Sequence, residues 1–228
     1  MSLKIMALNA RRGLGLFLMP ALLLLTSASV LRAEDMPSAQ ARIVISEGDV
    51  TVNTAGGSMS GKKGALLDQG AEIMVGEDSS TLVTLGEGRK SSIKLDGGSK
   101  AALTSLDPVK VSLQSGKLVA LVNGLAEGST FQVMTPTATA TARGTLFSVT
   151  DSVIAVLSGT VMVEAGGETT EVKAGQEMDV QSKSVSDISA DNAADIEDAN
   201  AAASAEAGAG TAEPATGDRQ NIQVPVTP

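Results

Sequence analysis

Few residues of this chain have the types and spacing that could do chemistry. Ser91 and Lys94 stand in Ser-x-x-Lys, the spacing of a serine nucleophile and a lysine base. That pairing needs a helix, where positions i and i+3 share a face. Within SSIKL, which reads as a strand, the two side chains point to opposite faces. Residues 56–63 (GGSMSGKK) follow the phosphate-loop pattern up to the last position, where Lys63 replaces the hydroxyl residue that would hold magnesium. A turn beginning at Gly64 follows, in place of the helix whose N–H groups would cradle a phosphate. The acidic pairs Glu47/Asp49, Glu77/Asp78 and Glu168/Glu171 offer carboxylate oxygens of the kind calcium takes, but each lies beside a turn and reads as a solvated pair.

The chain of 228 residues has no histidine and no cysteine, so it lacks the commonest general base, a thiolate nucleophile and the usual transition-metal ligands. A pair of carboxylates could still hydrolyse a glycoside. With no tryptophan, no tyrosine and three phenylalanines, the chain offers little of the aromatic platform such clefts carry. No catalytic residue, metal or cofactor is expected. The net charge of −9 is spread as 11 Lys/Arg against 16 Asp/Glu over residues 41–181 and 2 against 8 over residues 182–228, with no basic cluster. Binding to nucleic acid by phosphate neutralisation is not expected.

Residues 1–33 read as a secretory signal: Lys4, Arg11 and Arg12 precede the apolar run LGLFLMPALLLL, and small residues follow. Cleavage fits after Ala28 or after Ala33. The alternative is a retained anchor over residues 13–31, approaching the roughly 20 residues that span a bilayer; Pro20 and the polar TSAS segment weigh against it. Arg11 and Arg12 place the remainder across the membrane in either case. The expected location is the periplasm or the exterior, with an inner-membrane-anchored periplasmic domain as the alternative.

From residue 41 to residue 181 the text alternates short apolar strands with Gly-rich turns. Strands are expected at 42–45, 50–52, 82–85, 91–95, 109–113, 117–122, 153–157 and 161–163, and no segment there has a helical period. The stretch 46–75 can be laid over 157–180: both run Gly-x-Val-x-Val, a Gly-Gly turn, and Gly-x-Glu before alternating apolar residues, while 115–124 is a weaker third copy of the first element. The expected fold is all-β, a duplicated β-solenoid-like or double-layered sandwich with one aliphatic core. Residues 182–228 are acidic and Ala-rich, the composition of a disordered tail, with transient helix at 187–207 and a β-prone end, NIQVPVTP, suited to adding a strand to a sheet edge.

One stretch resists a purely local reading. In FQVMTPTATATARGTLFSV (131–149) Ala138, Ala140 and Ala142 alternate with threonines until Arg143-Gly144, after which Thr145, Phe147 and Val149 follow. Strict alternation would bury Gly144 and expose Phe147. A one-residue bulge at Arg143-Gly144 restores the phase, because glycine accepts positive φ and a bulge sets two residues against one. The alanines then face a closely approaching layer and the threonines form a β-branched outer face.

The elements Phe131-Gln132-Val133, Thr135-Pro136-Thr137, Arg143-Gly144-Thr145-Leu146-Phe147-Ser148-Val149 and Leu157 to Val163 resemble the FecR domain, as does the upstream DSSTLVTLGEGRKSSIKLDGGSKAAL. The resemblance covers roughly residues 43–180. Its Arg-Gly-Thr-x-Phe part is the more specific, and its Gly-x-Val-x-Val parts recur before many strands. It implies a non-enzymatic envelope protein engaged in interaction or signalling. Regulators of that family carry a cytoplasmic anti-sigma segment before their membrane helix; only 12 residues precede the apolar run here, so that segment is not expected. The expected role is a protein-interaction or signalling-accessory module whose partner is an envelope protein. Arg143, Gly144 and Thr145 are the candidate contact, with the sheet edges as a second. The alternatives are a small-molecule or glycan-binding module and, less favoured, a carboxylate-dependent hydrolase.

Overall fold

The structure, a computed structural model, describes residues 40–85, 91–123, 125 and 127–209. The expected signal at 1–33 and the end segment NIQVPVTP lie outside these residues. Two nine-stranded sheets face each other. The first, sheet A, runs from edge to edge as β4 (Leu66–Leu67), β1 (Ala41–Glu47), β6 (Ser80–Leu85), β7 (Ser91–Leu95), β10 (Leu118–Leu121), β13 (Leu146–Val149), β14 (Val153–Ser158), β17 (Gln176–Asp179) and β18 (Ser184–Asp187). The second, sheet B, runs as β3 (Gly57–Ser60), β2 (Val50–Thr54), β5 (Glu72–Val75), β8 (Lys100–Leu106), β9 (Val109–Ser115), β11 (Phe131–Met134), β12 (Ala138–Ala142), β15 (Thr160–Ala165) and β16 (Glu168–Lys173). Past the first few strands the numbers rise along both sheets together. The chain therefore winds from one end of a double layer to the other, as the solenoid-like sandwich reading expects. All eight expected strands are present.

Alternation explains the layering. β15, with Val161, Val163 and Ala165 buried between exposed neighbours, turns one row inward, as a strand of period 2 must. Inward rows from both sheets merge in one core of Val, Ile, Leu and Ala, joined by Phe131 and Phe147, whose rings meet edge to face at 6.3 Å. The inward faces thus bury aliphatic side chains, each worth about 1.5–3 kcal/mol.

The chain passes between the sheets at tight corners. The turn at Gly116, between β9 and β10, shows what a corner requires. Its φ is +86°, and a Cβ there would stand 2.5 Å from the Cα of Ser99. Beneath it the buried Ser99 hydroxyl accepts the N–H of Lys117 and donates to the Lys117 carbonyl, both at 3.0 Å. Ser99→Ala leaves both backbone groups without that partner and is expected to cost about 1–3 kcal/mol. Urea unfolding beside Ser115→Ala, an exposed hydroxyl, checks this.

Registers reveal where the corners change ends. β9 and β11 pair in parallel, and every other pairing among the described residues is antiparallel. The corners at 48–49, 76–79, 96–99 and 116 lie at one end of the strands. After β11 the corners at 143–145 and 159 lie at the other end, because β10 crosses to β11 as a single strand with no hairpin. This also limits the internal repeat. The hairpins β2–β3 and β15–β16 correspond and occupy the two opposite ends of sheet B, but the Gly-x-Glu elements after them part company: β5 joins sheet B beside β2, and β17 joins sheet A beside β14. The 115–124 copy becomes β10, a lone strand of sheet A.

The chain stays ordered past residue 182, where the composition suggested that a disordered tail begins. β18 pairs with β17 along its full length, and α1 (Ala190–Ala209) lies on the outer face of sheet A. Ile196 and Ala199 pack with Val119, Leu146 and Ala155, and Ile188 joins them. Composition misses this because most of the apolar surface belongs to the sheet; an Ala-rich helix contributes close approach more than bulk. Among the described residues no helix is long and apolar enough to cross a membrane.

Candidate functional site

Residues 143–145 form the corner that takes the chain from β12 in sheet B to β13 in sheet A. The expected bulge within one continuous strand is therefore a change of sheet. Phe147 is buried, as the bulge was meant to achieve, and so are the three alanines of β12, with Thr139 and Thr141 turned outward. The register irregularity nearby falls later, between Leu146 and Phe147 where they face Ser158 and Val156. An inserted residue and a corner have the same effect on phase, so alternation alone could not separate them.

The three candidate residues divide at this corner. Thr145 is 2% exposed, and its hydroxyl donates to the Thr160 carbonyl at 3.2 Å. Its own carbonyl accepts the Val122 N–H at 2.9 Å. Thr145 is thus a structural tie. Gly144 has φ +63° with open space where a Cβ would stand, while its carbonyl lies 2.7 Å from the Cβ position of Gly159, so the two corners interlock. Arg143 is exposed, and its Nη2 donates to the Gly128 carbonyl at 3.0 Å, fastening the crossing after β10 to the corner. Of the three, only Arg143 presents a side chain to solvent. Beside it lies the outer face of sheet B, where register places Gln132 opposite Thr141, Thr141 opposite Met162, and Met162 opposite Glu171. Met162 is 42% exposed, and none of the described elements packs over this face.

Most of the remaining chemical candidates are engaged elsewhere. Ser91 is buried at the start of β7; its hydroxyl accepts the N–H of Asn123 at 3.3 Å and donates to the Asn123 carbonyl at 3.1 Å. Lys94 points to the other face and pairs with Asp96 at 2.7 Å. The segment 56–63 contains β3 and leads to β4 rather than to a helix, and Lys63 pairs with Glu206 of α1 at 2.9 Å. Glu47 accepts a bond from Ser80, Glu168 is held by Lys183, and Glu171 lies 3.8 Å from Lys173. The Lys183 bond holds the Glu168 carboxyl below its ordinary range. Among the described residues no group of three or more acids is arranged to hold a metal ion.

Glu177 is the acid that sequence reading passed over. From β17 its Oε2 accepts the N–H and hydroxyl of Ser189, both at 3.0 Å, and Asn192 Nδ2 at 2.9 Å. Ser189 in turn caps α1, accepting the Asn192 N–H. An anion at a helix start is favourable because the free N–H groups carry partial positive charge. The Ser189 N–H bond, followed by the Asn192 side chain, holds the Glu177 carboxyl below its ordinary range. A carboxyl lowered by folding adds stability above its unfolded pKa, and that contribution is lost as pH falls through the folded value. Acid titration followed at 222 nm should therefore show α1 loosening in the wild type. Glu177→Gln should weaken the helix signal at neutral pH and flatten that part of the titration. The Gly-x-Glu spacing was visible in the sequence, but only as a repeat.

A family model described as FecR protein matches residues 60–162. No curated protein matches the chain. Two crystal structures of a Parabacteroides distasonis protein described as a candidate anti-sigma factor are similar at 21% identity and a TM-score of 0.44. Each match covers 51% of this chain and 58% of that one, so the likeness spans little more than half of the solved protein. The matched residues run from the end of β3 into β15 and take in the parallel β9/β11 pair and the corner at Arg143. Over this stretch, the heart of the double-layered sandwich, the chain is similar to the FecR family.

Proposed function

We propose that this protein is a non-enzymatic FecR-domain module, exported to the cell envelope, that serves signalling by docking another envelope protein. One observation carries the reading: α1 covers the outer face of sheet A, while the outer face of sheet B, beside Arg143, is left open among the described residues. Thr139, Thr141, Gln132, Met162 and Arg143 give it hydroxyl, amide, thioether and guanidinium groups. Such a mixture suits protein recognition, in which arginine and methionine are enriched. The structural engagement of Ser91, Lys94, Glu168 and Glu177 supports a holding role over a converting one. The anti-sigma description of the Parabacteroides protein is in keeping with a signalling accessory. An N-terminal export signal places the domain outside the cytoplasm in this reading.

The test is capture from envelope extract by the wild-type protein and by Arg143→Glu and Met162→Lys. A discrete partner retained by the wild type should be lost from both variants, with unfolding free energy changed by about 0.5 kcal/mol or less, the usual range for surface changes. Capture indifferent to both substitutions, fractionation with the cytosol, or turnover of a glycan by the pure protein would overturn the proposal.

A further inference from the structure

Sheet B ends at β3, and this edge differs from those at β16 and β18. Residues 57–60 read Gly-Ser-Met-Ser, without a charge or a proline. At the opposite edge β16 carries Glu168, Glu171 and Lys173, and the sheet A edge β18 carries Asp187. Charged edges resist further pairing; an uncharged one offers a free row of N–H and C=O groups. Met59 pairs with Val52, which is fully buried, so Met59 belongs to the core-facing row. It is nevertheless 40% exposed. The inward row at this end extends one residue beyond what covers it.

The chain's own path brings a candidate to that edge. The Lys63–Glu206 pair at 2.9 Å sets the last turns of α1 beside the loop that leaves β3, three residues after Ser60. Between Ala209 and Asn221 the sequence GTAEPATGDRQ is Gly-, Ala- and Pro-containing and polar. Its 12 steps reach up to about 40 Å when extended, against about 10 Å for the three residues separating Ser60 from Lys63. Then comes Asn-Ile-Gln-Val, 221–224, which alternates with Ile222 and Val224 on one face, followed by Pro225, a residue that strands accept at edges. We propose that residues 221–224 add to β3 of the same molecule as a tenth strand of sheet B, with Ile222 or Val224 covering Met59. The strand closes the one long uncharged edge and fastens the chain after α1.

Because the chain has no cysteine, engineered pairs report this contact without interference. Met59→Cys is combined in the full chain with Ile222→Cys or with Val224→Cys, and Val185→Cys on β18 replaces Met59→Cys in the controls. Residues directly opposite on neighbouring strands bring Cβ atoms close enough for a disulfide. Oxidation should cross-link the monomer through Met59→Cys at least tenfold more than through Val185→Cys in one of the two combinations. Equal yields would overturn the proposal, and so would cross-linked dimers, which would make the strand a second copy's. Hydrogen exchange reads the same contact without cysteines: Ile222→Asp/Val224→Asp should speed exchange of the β3 amides pointing away from β2 at least tenfold. Unchanged exchange would count equally against it.

Discussion

Gly97→Ala is expected to lower stability by about 3 kcal/mol, the upper part of the range for overpacked sites. Gly97 lies in the corner between β7 and β8, where the chain passes over the preceding corner at Gly76–Ser79. A Cβ at Gly97 would stand 1.8 Å from the carbonyl oxygen of Glu77 and 2.7 Å from its carbonyl carbon. The obstacle is backbone, which cannot rotate aside as a side chain would. It is also anchored: Gly98 N–H donates to the carbonyls of Val75 and Gly76, and Val75 N–H donates to the Ser99 carbonyl. Relief therefore requires two corners to separate, with loss of those bonds. The control is Gly56→Ala, where φ is ordinary and the nearest atom, Thr54 Oγ1, lies 3.6 Å away; little change is expected there. For a domain of this size about 3 kcal/mol corresponds to a fall in Tm of roughly 6–12 °C, which circular dichroism resolves. A Gly97→Ala protein that melts with the wild type would contradict the packing of these corners.

Phe147→Ala should cost about 3–5 kcal/mol, the usual range for a buried phenylalanine. Phe147 is fully buried in β13, with Ala120 and Val156 opposite it on the neighbouring strands of sheet A. Its ring meets that of Phe131, which sheet B contributes, at an interplanar angle of 85°. On either side of this contact the opposing positions are small: Ala142 pairs with Phe131, and Ala140 follows it into the core. Small residues beside the rings are what allows two phenylalanines into a narrow aliphatic interior. Once one ring is deleted, the surrounding alanines have no bulk with which to fill the space. Urea unfolding of Phe131→Ala, Phe147→Ala and the double variant should show coupling of about 0.5–1.5 kcal/mol, the edge-to-face part of the interaction. Strict additivity would mean that the rings contribute area and nothing more.

Both predictions rest on features that are present in the text as residues but not as relationships. That Gly97-Gly98 breaks a strand is plain from composition; that Gly97 must lack a Cβ follows from where the Glu77 carbonyl lies, twenty residues earlier. Ser99 reads as a turn residue of no particular role, and Ser91 and Thr145 as candidates for chemistry or contact, yet each hydroxyl satisfies a backbone group far along the chain. Glu177 holds the start of α1 by bonds no local pattern announces.

Amphipathic alternation and glycine punctuation are properties of consecutive residues. They were therefore enough to place eight of the eighteen strands among the described residues, suggest an aliphatic double layer and identify the elements that resemble the FecR domain. They also required a break near Gly144, since Phe147 had to be buried. Which sheet each strand joins, and hence that the break is a corner, depends on hydrogen-bond partners contributed by other strands. The order of residues 184–209 depended on tertiary contacts in the same way. Too poor in apolar side chains to fold alone, this segment is held by the edge of β17, by Glu177, and by the apolar face of Val119, Leu146 and Ala155. Helices of this kind draw most of their stability from packing rather than propensity, so the surface that orders α1 lies elsewhere in the chain.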